Sequence, residues 1–229
     1  FNGLKDVIPK TKTDESEKPK GYVTVTFELE KLDGKEAGKI VDGETITYFV
    51  KPNTDVTIPR PKILANTGYE FINWNPDTSK NAQYSEDKTV KGSFKKLDDI
   101  ISYINDKGKP TAKPDGYVTV VFDKGAHGSL TGVKTYYVNP VAKKTMGELK
   151  KKAPKVTPET GYEFTSWSRK DEEVITEDSD EYIITTQYKD LDDVIPQKKT
   201  DGTDKPNGYI TVTFSTETNG KVKDTTDTK

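Results

Sequence analysis

Three blocks of sequence recur in one order at one spacing, and this periodicity limits the possible folds more than any other feature. GYVTVTF at Gly21–Phe27 returns as GYVTVVF at Gly116–Phe122 and as GYITVTF at Gly208–Phe214. TGYEFINW at Thr67–Trp74 returns as TGYEFTSW at Thr160–Trp167. FNGLKDVIP at Phe1–Pro9 matches FKKLDDIIS at Phe94–Ser102 and YKDLDDVIP at Tyr188–Pro196. Trp74 and Trp167 lie 93 residues apart, as do Gly68 and Gly161, and Phe1 and Phe94, while Gly21 and Gly116 lie 95 apart. A fixed period of this size means tandem units rather than one large globule. The expected division is the tail of a preceding repeat at 1–9, a linker at 10–20, repeat A at 21–97 and a linker at 98–115. Repeat B follows at 116–191, then a linker at 192–207 and the start of a further, truncated repeat at 208–229.

The repeats differ in two stretches. Gly21 to Tyr48 spans 27 positions, against 20 from Gly116 to Tyr136, so repeat A carries the longer first loop. Tyr48 to Gly68 spans 20 positions against 25 from Tyr136 to Gly161, so repeat B is longer there.

Local patterning places elements on this frame. In GYVTVTF, Val23, Val25 and Phe27 share one face and Tyr22, Thr24 and Thr26 the other, the alternation of a half-buried strand. A second strand is expected at Thr45–Val50 and Thr135–Val138, pairing with the first as a hairpin. In repeat B, Ala142, Met146, Leu149 and Ala153 fall at helical spacing before Pro154, which predicts a short amphipathic helix near 142–152. The matching stretch of repeat A contains Pro59 and Pro61 and predicts an irregular crossover. TGYEF opens a third strand, and a last strand ends at Phe94 or Tyr188. The expected fold class is therefore α+β: two small domains, each a mixed sheet of about four strands, with a short helix in the second, joined by an extended linker.

A unit that reads TVTF, then a β-branched strand, a crossover, GYEFTSW and a closing YITTQY resembles the internalin-type B repeats of bacterial surface proteins. That resemblance implies β-grasp, ubiquitin-like modules strung in tandem on Gram-positive adhesins. The period of 93 residues is longer than that family implies, with the excess in the linkers, which favours a shared β-grasp core over membership of the same subfamily.

The linkers are rich in Lys, Asp, Thr and Pro, the composition of an extended, solvated segment. Stretched, about 17 residues reach on the order of 55 Å. Each nevertheless begins with an aliphatic pair: Val7 and Ile8, Ile100 and Ile101, Val194 and Ile195. Two readings stand: the pair packs on an adjacent domain and restricts its swing, or it completes the preceding strand.

Reactive constellations are scarce. With no Cys and a single His, His127, neither a zinc site nor a His-assisted nucleophile has its parts, and His127 reads as a solvent-exposed loop residue. The carboxylates of Glu177–Tyr182 read as a solvated loop, with calcium as the alternative. The pairs Asp98–Asp99 and Asp192–Asp193 sit at a strand end, where adjacent side chains point apart. Trp74 and Trp167 fall out of phase with Tyr69 and Phe71, and with Tyr162 and Phe164. Either a bulge turns each indole back over the core edge, or it stands exposed as a stacking platform. No catalytic, cofactor-binding or metal-binding residue is assigned, and no cofactor is expected.

The 36 basic and 38 acidic residues are interspersed, which gives no electrostatic support for nucleic acid or an anionic membrane as partner. No apolar run approaches a membrane span. Absence of Cys suits a bacterial surface protein. The chain opens on Phe1 and its one Met is Met146, so its ends read as cuts within a longer polypeptide whose signal peptide or wall anchor lies elsewhere. The leading expectation is a non-enzymatic, extracellular stalk or adhesion region, a monomeric elongated particle. It would engage host extracellular protein or glycan weakly and multivalently. The alternatives are a carbohydrate-binding module array, with Trp74 and Trp167 as platforms, or a spacer of a secreted hydrolase.

Overall fold

The computed structural model describes residues 4–10, 18–196 and 205–214. Much of the expected linkers at 10–20 and 192–207, the first residues of the preceding tail and the end of the truncated repeat lie outside the described residues.

The first repeat contains β1 (Val7–Pro9), β2 (Val23–Leu29), β3 (Gly38–Ile40), β4 (Thr47–Val50), β5 (Ile63–Ala65), β6 (Tyr69–Asn75) and β7 (Lys88–Lys96). Five of them form one sheet in the order β1-β4-β2-β7-β6, and β3 pairs with β5 as a separate ribbon. The second repeat contains β8 (Ile100–Ser102), β9 (Val118–Asp123), β10 (Gly128–Thr131), β11 (Thr135–Val138), α1 (Met146–Lys150), β12 (Lys155–Pro158), β13 (Tyr162–Trp167) and β14 (Glu181–Asp190). Its sheet runs β8-β11-β9-β14-β13, the same order position for position, and β10 pairs with β12. In both sheets the central pair is parallel, β2 with β7 and β9 with β14, and the other pairs are antiparallel.

This corrects the expected fold class. The described residues are nearly all β and are divided among several sheets, not a β-grasp with a helix. The helix expected over 142–152 shrinks to the five residues of α1, preceded by a 3-10 turn at Pro140–Ala142. Lys143 interrupts the run at φ 53°, in the left-handed region. Thr145 then starts a fresh capping box, accepting from the Glu148 N–H at 3.3 Å while the Glu148 carboxylate accepts from the Thr145 N–H at 3.0 Å. Helical spacing overstated the element because only Met146 and Leu149 enter the core, and a little over one turn delivers both. The ribbons β3-β5 and β10-β12 were not anticipated, since their short, mixed segments carry little alternation.

The strand patterning is physical. Val23, Val25 and Phe27 are buried, as are Val118, Val120 and Phe122, while the threonines between them are half-exposed. Each sheet face is then closed by different means. In the second repeat α1 inserts Met146 and Leu149 beside Ile175. In the first, Val56 and Ile58 of an irregular segment take that place, with Ile58 held by bonds to and from Thr78 at 2.9 and 3.0 Å. The two cores share no residue.

Two of the three aliphatic pairs of the expected linkers lie in strands, and the third, Val194 and Ile195, does not. Val7–Pro9 pairs with β4, and Ile100–Ser102 with β11, each as the outer strand of the repeat that follows it. For these two pairs, of the two readings, packing on the adjacent domain is the one found. Segment 98–115 is thus no free tether. It supplies β8 and then folds back on itself through Thr111 N–H to Tyr103 C=O at 2.7 Å and Asn105 N–H to Lys109 C=O at 2.9 Å.

Candidate functional site

No reactive constellation assembles among the described residues. No group of three or more His, Cys, Asp or Glu side chains converges there. Nor, among the described residues, does any buried side-chain nitrogen or oxygen lack a hydrogen-bond partner. Within 177–182, Asp178 accepts from the Thr176 hydroxyl at 2.8 Å, Ser179 donates to the Glu181 carbonyl, and Tyr182 is buried. His127, expected as a solvent-exposed loop residue, lies in a loop with its side chain 40% exposed. Its ring lies flat on Tyr162, with centroids 3.7 Å apart and planes 3° apart, and Glu159 stands 3.9 Å from Nδ1.

Both tryptophans sit after a bulge. The register of β6 on β7 shifts between Phe71 and Asn73, and that of β13 on β14 between Phe164 and Ser166. The extra residue, Ile72 or Thr165, rotates the indole back toward the core. Trp74 meets Phe27 edge-on at 5.0 Å, and Trp167 meets Phe122 edge-on at 4.9 Å. The depths differ for a nameable reason. Opposite Trp74 stands Gly92, where a Cβ would lie 2.8 Å from the indole; opposite Trp167 stands Thr186. Trp74 is accordingly 4% exposed and Trp167 only half-buried, beside a shallow open groove lined by Ser168, Arg169, Glu173 and Gln187. In single-tryptophan variants, Gly92→Thr should push Trp74 outward and raise its iodide quenching. Thr186→Gly should lower that of Trp167. Unchanged quenching in both would show that the opposing side chain does not set indole depth.

The residues opening each repeat form a second recurring arrangement. Tyr22, Tyr117 and Tyr209 each donate a backbone N–H to the proline three residues back, at 3.0, 3.2 and 3.1 Å. The intervening Gly21, Gly116 and Gly208 have φ of 84°, 75° and 79°. This is a turn that requires φ above zero at its third position, which is why glycine stands there. Each tyrosine hydroxyl donates to a carbonyl just ahead of the aliphatic pair: Lys5 at 3.0 Å, Asp98 at 2.9 Å and Asp192 at 2.8 Å. Asp98 and Asp192 therefore serve through their backbone carbonyls. Sequence patterning missed this clasp, although the recurrence of Pro-x-Gly-Tyr behind each pair was a usable signal.

Burial of the Tyr117 phenol, reinforced by the charges of Asp99 and Asp98, pushes its pKa up to about 12. The folded state therefore holds this proton more tightly than the unfolded chain does. Its contribution to stability is full below about pH 10, the ordinary tyrosine value, and falls as pH rises toward 12. In an ultraviolet titration near neutral salt, Tyr117→Phe should remove the last-ionising component. Loss of an early-ionising component instead would contradict the assignment.

Residues 118–191, from the start of β9 to just beyond β14, match the family model for the divergent InlB B-repeat domain. The match covers the second repeat without its outer strand β8. No curated protein matches the chain. Among the described residues, no helix is long and apolar enough to cross a membrane.

Proposed function

We propose that this chain is a non-enzymatic tandem-repeat region of a bacterial cell-surface protein, serving as a stalk or as a multivalent display of weak binding surfaces. The observation that carries this reading is recurrence: one five-strand order built twice at a 93-residue period, with nothing reactive recurring in it. The likeness of 118–191 to the divergent InlB B-repeat domain supports surface location. Each structural repeat is then best drawn from its aliphatic pair to its closing strand, 98–191 for the second, with host protein or glycan as the partner class and anchoring to the cell wall supplied by other segments. Small-angle scattering of the chain should return an elongated particle whose profile matches two sheets in series. A compact, near-spherical particle would overturn the stalk reading.

The groove beside the half-buried Trp167 favours one second reading, a glycan-binding array. Chemical-shift perturbation of the Trp167 indole by soluble oligosaccharides tests it, and a spectrum unmoved at millimolar glycan removes it.

A further inference from the structure

We propose that the Thr-Gly turn ahead of each GYEF strand is a docking seat for the Pro-x-Gly-Tyr turn of the next repeat, and that this joint fixes consecutive repeats in one orientation. The inference rests on the tandem-repeat reading above and deepens it: the partner of the surface is the next copy of the repeat in the same chain.

The connection itself leaves little freedom. Between the end of β7 at Lys96 and the start of β8 at Ile100 stand three residues, Leu97, Asp98 and Asp99. Leu97 donates its N–H back to Gly68 of the first repeat at 2.9 Å. The Asp98 carbonyl accepts from the Tyr117 hydroxyl, and that of Asp99 from the Asn139 N–H at 2.8 Å, both in the second repeat. The residues that leave one sheet are thus bonded to both units before the next strand begins. A chain held in this way has no free torsions to spend on swinging.

The two turns then meet directly. Gly116 packs so closely on the Thr67 side chain that a Cβ on it would overlap Oγ1. The Asn139 amide sits over Gly68, where a Cβ would lie 2.6 Å from Nδ2. The arrangement occurs a second time. Leu191 donates to the Gly161 carbonyl at 2.8 Å, Gly208 packs on Thr160 with the same overlap, and Asn207 Nδ2 donates to the Pro158 carbonyl at 2.9 Å. At this second joint, Val194 and Ile195 are exposed and 205–214 carries no strand. The seat is therefore occupied without a finished sheet behind it, which marks the joint as a contact in its own right.

The consequence is mechanical. A fixed joint makes reach grow in proportion to repeat number and gives each repeat a set rotation relative to the last. A tether of about 17 free residues would instead spread the distance between neighbours over about 20 Å.

The chain has no cysteine, so spin labels can be placed at will. Glu86→Cys and Glu177→Cys put one label on each repeat, both at exposed positions that take no part in the joint's contacts. Pulsed electron-spin distance measurement on the full chain should give one narrow peak, as narrow as that of a pair within one repeat, Lys39→Cys with Glu86→Cys. Gly116→Ala should broaden the inter-repeat peak several-fold. Gly21→Ala supplies the control, because that turn bears the same positive φ but has no atom within 4 Å of the added Cβ. A broad distribution in the parent chain overturns the joint, and so does an unchanged width in folded Gly116→Ala. Elongated scattering with a broad distribution leaves the repeat reading intact, whereas a compact particle removes that reading first.

Discussion

Replacing Phe122 with alanine is expected to unfold the second repeat at temperatures where the first remains folded. Phe122 is 2% exposed and sits at the centre of its core, edge-on to Tyr136 at 6.1 Å and to Trp167 at 4.9 Å. Truncating a buried phenylalanine costs about 3–5 kcal/mol through lost transfer energy and the cavity left behind. A domain of this size has only about 5–15 kcal/mol to lose. The first core contains none of the same side chains, so its own Phe27 cluster should be untouched. Hydrogen exchange read by mass spectrometry separates the two. Peptides from β9, β11 and β14 should lose protection, and those from β2, β4 and β7 should keep theirs. Val174→Ala, at a position 41% exposed, should change neither set. Equal loss in both repeats would show that the cores fold as one unit.

The second large effect is expected from a proline scan of β8. Tyr103 N–H donates to Thr135 C=O, and Asn139 N–H to Asp99 C=O. Because bonded and non-bonded pairs alternate in an antiparallel ladder, Ile101 and Tyr137 between them exchange bonds, whereas Ser102 turns its N–H outward. Ile101→Pro removes a ladder donor facing a buried tyrosine backbone and should cost about 2–4 kcal/mol, with β8 detached. Ser102→Pro should cost little beyond the hydroxyl bond to the Ile104 carbonyl. The first repeat already contains the tolerated case: Pro9 occupies the position equivalent to Ser102, opposite Tyr48, while Lys10 N–H bonds Thr47 C=O. Thermal melts of the two variants give the comparison, and similar losses in both would refute the ladder register.

Much of the strand framework was legible because it rests on nearest-neighbour rules. Alternation in Val23–Phe27 and Val118–Phe122 names the buried face directly, and the out-of-phase Trp74 and Trp167 already offered a bulge as one of two readings. In the sequence, one histidine and no cysteine leave few reactive combinations. The helix misled because spacing reports which residues face the core, not how much chain must be helical to bring them there. Met146 and Leu149 satisfied it in a little over a turn. The expectation of about four strands per domain failed for a related reason: it counted only strands with strong patterning and missed the short β3, β5, β10 and β12, whose residues are stabilised by their partners more than by their own composition. The joint was illegible because Thr67 and Gly116, 49 positions apart, reveal their contact only when both turns are placed.

By itself the sequence determined the period, the order of the units and the inward face of each long strand, all of which follow from local spacing. Tertiary structure alone decided which segments become strands at all. GYITVTF at Gly208–Phe214 has the same alternation as its two predecessors, yet Ile210, Val212 and Phe214 are 83%, 67% and 83% exposed and form no strand. Among the described residues, none pairs with it as β7 pairs with β2 and β14 with β9. A lone strand has neither backbone partners nor a second apolar surface to bury against, so pattern without partner leaves its apolar face in water.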